Sequence, residues 1–104
     1  MLFSPDCHHC QMAVKELIEN ISLFDKAQVL MVSSMDFVQV KQFYEEYKIA
    51  NFPNITMGRD ASYYLGTFYK IKNYPSVFVY DKKGKLVEAF EGTFQMKAVA
   101  DALD

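Results

Sequence analysis

The sequence of 104 residues is poor in the features that mark fibrous, disordered or strongly charged chains. It has only 4 Gly and 3 Pro against 9 Phe and 7 Tyr, with a hydrophobic fraction of 51%, so there is ample side-chain volume for a core. Charge of one sign is lacking: 11 basic and 13 acidic residues leave a formal net charge of -2. No sustained positive field is available to neutralise a phosphate backbone, so nucleic acid is not an expected partner. Long apolar runs are missing too, since the stretch around Val29 to Val32 is far below the roughly 20 residues of a membrane-spanning helix. Met1-Leu2-Phe3-Ser4-Pro5 has neither the basic region nor the long apolar core of a targeting signal. At this length one core is expected, and hence a single domain over residues 1–104. Cysteine is scarce, and two residues cannot make a disulfide framework that replaces a core.

The placement of those two cysteines is informative. Cys7 and Cys10 enclose His8 and His9, and the dithiol stands after a short apolar segment at the start of a helical pattern. Beside alternating strands and helices, such a pair reads as a redox motif. Cys10, Val14, Leu17, Ile18 and Ile21 recur at three- and four-residue steps, which predicts a helix from about His8 to Ser22 with one buried face. Gln28 to Ser34 is almost continuously apolar, as a strand covered on both faces would be. Asp36 followed by Gln39 predicts a helix start, and Phe37, Val40, Phe43, Tyr44 and Tyr47 carry that helix to about Lys48. After the break at Asn51-Phe52-Pro53-Asn54, Ile55 to Met57 reads as a very short strand. Asp60 then caps a helix carrying Tyr64, Leu65, Phe68 and Tyr69, in which Gly66 is out of character. Ser76 to Asp81 and Lys85 to Glu91, joined by Lys82-Lys83-Gly84, predict an antiparallel hairpin. Met96, Val99, Ala100 and Leu103 predict a short closing helix.

This order of elements resembles the thioredoxin superfamily: strand, CxxC-led helix, strand, helix, then a proline directly before a terminal hairpin and a last helix. More narrowly, Tyr69-Lys70-Ile71-Lys72-Asn73-Tyr74-Pro75-Ser76-Val77-Phe78-Val79-Tyr80-Asp81 and the turn Asp81-Lys82-Lys83-Gly84 resemble the TlpA/ResA-type and redoxin branch. The resemblance spans essentially the whole chain. It implies an α/β thioredoxin-like fold with a mixed central sheet flanked by helices. It also implies a thiol-disulfide oxidoreductase acting on protein or peptide dithiols, located in the bacterial cell envelope or periplasm, with a cytoplasmic reductase as the other location. Two departures stand out. Relatives carry more residues before the CxxC strand, whereas Met1 stands six residues before Cys7, so the expectation is an N-terminally truncated version. Such a version would leave sheet edges through which copies associate. Asp6 stands where many relatives have an aromatic residue, and its negative charge works mildly against a Cys7 thiolate.

Thiol-disulfide exchange needs an exposed, stabilised thiolate and a second thiol that resolves the mixed disulfide. At a helix N-terminus the free N–H groups and the helix dipole favour the Cys7 anion, while Cys10, one turn later, is the more buried partner. Cys7 is therefore the expected attacking thiol and Cys10 the resolving one. His8 and His9 titrate near neutrality and are expected to tune the couple. Pro75 resembles the family's cis-proline, with Tyr74 before it presenting its backbone to substrate. The redox group is the cysteine pair itself, with no further cofactor. Zinc is disfavoured because Cys7, His8, His9 and Cys10, being nearly consecutive, cannot converge on one tetrahedron. Tyr63, Tyr64, Phe68 and Tyr69 at helical spacing are expected in the core rather than as a binding stripe, and the scattered methionines as gap fillers. The alternative from another class is a non-catalytic thioredoxin-like binding module with a structural disulfide. A redoxin-type peroxidase is a third and is disfavoured, because Ser4-Pro5-Asp6-Cys7 departs from the peroxiredoxin pattern.

Overall fold

A computed structural model describes residues 1–103. The chain runs α1 (His8–Glu19), β1 (Val29–Ser33), α2 (Phe37–Glu46), β2 (Ile55–Arg59), α3 (Tyr64–Tyr69), β3 (Ser76–Tyr80), β4 (Leu86–Glu91) and α4 (Met96–Asp101). β1 pairs in parallel with β2, and β3 pairs antiparallel with β4. Leu2 joins the two pairs, bridging in parallel to Val32 and antiparallel to Ser76. The spatial order is therefore β2, β1, the segment around Leu2, β3, β4, which is a mixed sheet with the segment leading to Cys7 at its centre. Phe3 N–H donates to Val32 O at 3.0 Å, while Leu2 and Ser76 exchange bonds of 2.7 and 3.0 Å. These bonds satisfy buried backbone groups that would otherwise be costly.

Local chemistry accounts for most element boundaries. The Asp36 carboxylate accepts from Gln39 N at 2.9 Å, capping α2 as its sequence predicts. In the β3–β4 turn Asp81 Oδ1 accepts from Lys83 N and Lys85 N, and Gly84 takes φ 80°, a backbone angle that side chains disfavour. α1 is shorter than its periodicity predicts. It ends at Glu19, where Asn20 Nδ2 bonds back to Glu16 O at 2.8 Å, and a 3-10 turn over Ile21–Phe24 follows. β2 is longer than expected because all five of its residues find partners on β1.

The core gathers Phe3, Cys10, Val14 and Leu17 with Met31, Phe43, Val77, Val79, Met96 and Val99. α4 packs against α1, and the Glu16 carboxylate accepts from Met96 N at the start of α4. Three burial expectations are corrected. β1 is not covered on both faces along its length, since Leu30 is exposed ahead of the buried run Met31, Val32 and Ser33. Met12 is exposed rather than filling a gap. The aromatic stripe of α3 is not core: Tyr64 and Phe68 are 62% and 63% exposed, and Tyr63 is 37% exposed. α3 has only six residues and turns Gly66 inward, so its larger side chains are left facing out.

Candidate functional site

Ser4-Pro5-Asp6-Cys7 closes as a tight turn, with Cys7 N–H donating to Ser4 O at 3.1 Å. The Ser4 hydroxyl bonds to the Asp6 carboxylate, and Gln11 Nε2 donates to Pro5 O at 3.0 Å, tying the turn to α1. The turn delivers Cys7 to the N-cap of α1 with extended backbone, φ −89° and ψ 120°. From there Cys7 Sγ accepts from Cys10 N at 3.3 Å, and the positive end of a 12-residue helix lies under it. The free N–H groups of the first turn and the positive end of the helix dipole point toward that sulfur.

The two thiols are free and unequal. Cys7 is half-buried, whereas Cys10 is fully buried within the core cluster. Burial pushes the Cys10 thiol well above the ordinary cysteine range, and its hydrogen bond to Cys7 and the like charges of Cys7 and Asp6 add to the rise. The Ser4 backbone N–H, 3.5 Å from Cys10 Sγ, opposes the rise. Sequence reasoning missed Ser4. Its contribution is a main-chain group, which no side-chain pattern reports.

On the other side of the thiol, Cys7 Sγ lies 3.8 Å from Tyr74 O, and its S–H donates to that carbonyl. The Tyr74–Pro75 peptide bond is cis, and Pro75 is fully buried. The loop is held from several directions. Glu91 Oε1 accepts from Lys72 N at 3.1 Å and Asn73 N at 2.8 Å, Ser76 Oγ donates to Asn73 O at 2.7 Å, and Gly92 N donates to Pro75 O at 2.9 Å. Cys7, Cys10, Tyr74 and Pro75 thus meet. His8 and His9 stand on the exposed first turn of α1 with ring centroids 6.2 Å apart.

The Tyr74 phenol turns inward. Burial pushes it up to about 12, helped by the neighbouring Tyr63 hydroxyl, while the Ser34 hydroxyl works against the rise. Tyr63, Ser34, Asp60 and Gly66 join Tyr74 around a cavity of about 10 Å³, roughly the smallest that holds one water molecule. Among the described residues no group of three or more His, Cys, Asp or Glu is placed to hold a metal ion. No helix among them is long and apolar enough to cross a membrane.

Residues 1–89 match the family model described as the AhpC/TSA family. None of the curated proteins matches the chain. Among solved structures, the crystal structure of the exposed lipoprotein thioredoxin from Streptococcus pneumoniae strain TIGR4 superposes with a TM-score of 0.68 at 24% identity, covering 96% of this chain and 77% of that one. The fold is accordingly thioredoxin-like, as the order of sequence elements implies.

Proposed function

Because the chain belongs to the AhpC/TSA family, a redoxin-type branch of the thioredoxin superfamily, we propose that it is a thiol-disulfide oxidoreductase acting on protein or peptide dithiols. The observation that carries this reading is the pairing of a half-buried Cys7 sulfur at a helix start with a buried Cys10 one turn below and the Tyr74 carbonyl opposite at 3.8 Å. In the reducing direction the Cys7 thiolate attacks one sulfur of a substrate disulfide. A mixed disulfide forms and the first substrate thiolate leaves, taking up a proton. Cys10 then loses its proton and attacks Cys7 Sγ, which releases the second substrate thiol and leaves a Cys7–Cys10 disulfide. Two electrons pass from the dithiol to the substrate, and the oxidising direction is the reverse. Cys10 stands one turn below Cys7, and its backbone N–H contacts Cys7 Sγ at 3.3 Å.

The Tyr74 backbone supplies the substrate-facing edge, backed by the buried Pro75, and the backbone of an incoming chain lies beside the sulfur there. His8 and His9 tune the couple through charge near the thiolate, which favours the reduced form when they are protonated. A bacterial envelope location is supported by the exposed lipoprotein among the structural neighbours.

The test is trapping. A Cys10→Ser variant should accumulate mixed disulfides with a disulfide-bonded peptide through Cys7, and a Cys7→Ser variant should accumulate none. Wild-type protein that leaves peptide disulfides untouched but consumes hydrogen peroxide would replace this reading with the peroxidase. A Cys7–Cys10 couple far below the glutathione potential, without trapping, would favour the binding module with a structural disulfide.

A further inference from the structure

Tyr63 occupies the left-handed backbone region, φ 53° and ψ 33°, which is costly for a bulky side chain and persists only where surrounding structure enforces it. The enforcement is visible. Tyr63 N–H donates to Asp60 O at 3.2 Å, and Tyr63 O accepts both from Thr67 N at 3.2 Å and from Thr67 Oγ1 at 3.1 Å. The ring lies across Gly66, where a Cβ would collide with the phenol carbons. Gly66 has no positive φ that calls for glycine, so the close approach of the Tyr63 ring is what excludes a side chain there. Held in this way, the Tyr63 hydroxyl neighbours that of Tyr74, and both rings line the same small cavity with Ser34 and Asp60. Tyr74 in turn presents the carbonyl that faces Cys7 Sγ.

We propose that Tyr63 is a positioning residue for the thiol site: its hydroxyl, carried on a ring seated on Gly66, fixes the Tyr74 side chain and through it the Tyr74 carbonyl that accepts from the Cys7 thiol. The inference deepens the thiol-exchange reading and takes its significance from it. A carbonyl that accepts from S–H stabilises the protonated sulfur, so its alignment sets how much thiolate Cys7 presents. The segment from Asp60 to Ile71 is thereby coupled to a cysteine more than fifty residues before it in the chain.

The experiment follows the pH profile of Cys7 alkylation in the reduced full chain, read by mass of the modified peptide, for wild type, Tyr63→Phe, Gly66→Ala and Tyr64→Ala. Losing the hydroxyl or displacing the ring loosens the carbonyl. The midpoint should therefore move to lower pH, with alkylation below it about two- to threefold faster, the size expected for weakening one sulfur–carbonyl contact. Tyr64→Ala, an exposed neighbour on the same helix, should leave the profile where it was. A folded Tyr63→Phe protein whose profile superimposes on wild type overturns the proposal, as does an equal shift in Tyr64→Ala. If Gly66→Ala does not fold, Tyr63→Phe decides alone. Alkylation reads the Cys7 sulfur whether or not the protein exchanges disulfides, so trapping by wild type reports separately on the function itself.

Discussion

At the scale of single residues the two cysteines differ because one helical turn separates solvent from core. Cys7 caps α1 and Cys10 is its first inward residue, so the same helix that turns its first N–H groups toward one sulfur buries the other. Burial of ionisable groups also ties stability to pH. The Cys10 thiol is raised above its ordinary value of 9.0, and the Tyr69 and Tyr74 phenols are each raised from 10.0 to about 12. The folded chain holds these protons more tightly than the unfolded one. Their contribution is complete below the unfolded values and is lost as pH rises through the folded ones. The urea midpoint of the reduced protein should stay level up to about pH 8.5 and decline above it, and Cys10→Ala should delay the onset toward about pH 10. A midpoint that is flat through pH 11 would contradict the burial of all three groups.

At the scale of elements, boundaries follow hydrogen bonds that short sequence patterns announce. Asp36 with Gln39 three residues on marks the start of α2, and the bond between them is there. Asp36→Ala should cost about 1 kcal/mol in denaturant unfolding with an unchanged m-value. The Asp81-to-Gly84 turn was legible for the same reason, because an acceptor side chain and a glycine at φ 80° are local requirements. α3 was only half legible. Asp60 does engage it, accepting from Leu65 N at 2.7 Å, but the N-cap position belongs to Tyr63, whose left-handed backbone no propensity predicts. The Gly66 that looked like a helix defect is what lets the Tyr63 ring come close against the helix.

For the whole molecule, the sheet depends on a central segment that barely counts as a strand. Leu2 is 8% exposed and connects β1 to β3, and Phe3 is 1% exposed with its ring centroid 4.8 Å from that of Phe43 on α2. Phe3→Ala should cost about 3–5 kcal/mol, a large share of the 5–15 kcal/mol that typically holds a domain together, and should lower the urea midpoint accordingly. A loss under about 1 kcal/mol would mean that this segment does not join the halves of the sheet. The outer strand β4 is largely exposed and lies at one margin of the sheet, with Glu88 and Glu91 along it. Charges on an edge strand discourage pairing with another chain.

By itself the sequence determined what repeats at short range. The steps of three and four from Cys10 to Leu17 and from Val40 to Phe43 made helices with buried faces, the CxxC pair stood at a helix start, and the β-rich runs around Lys82-Lys83-Gly84 made a hairpin. These depend on neighbours within a few residues, so they survive without knowledge of the rest of the chain. Only the tertiary structure decided which surfaces meet. Cys7 and Tyr74 are brought together because the segment around Leu2 lies beside β3, and the Ser4 N–H reaches Cys10 because the turn folds back over the helix. The exposure of Tyr64 and Phe68 was equally beyond reach, since helical spacing shows that side chains share a face but not whether another element covers it.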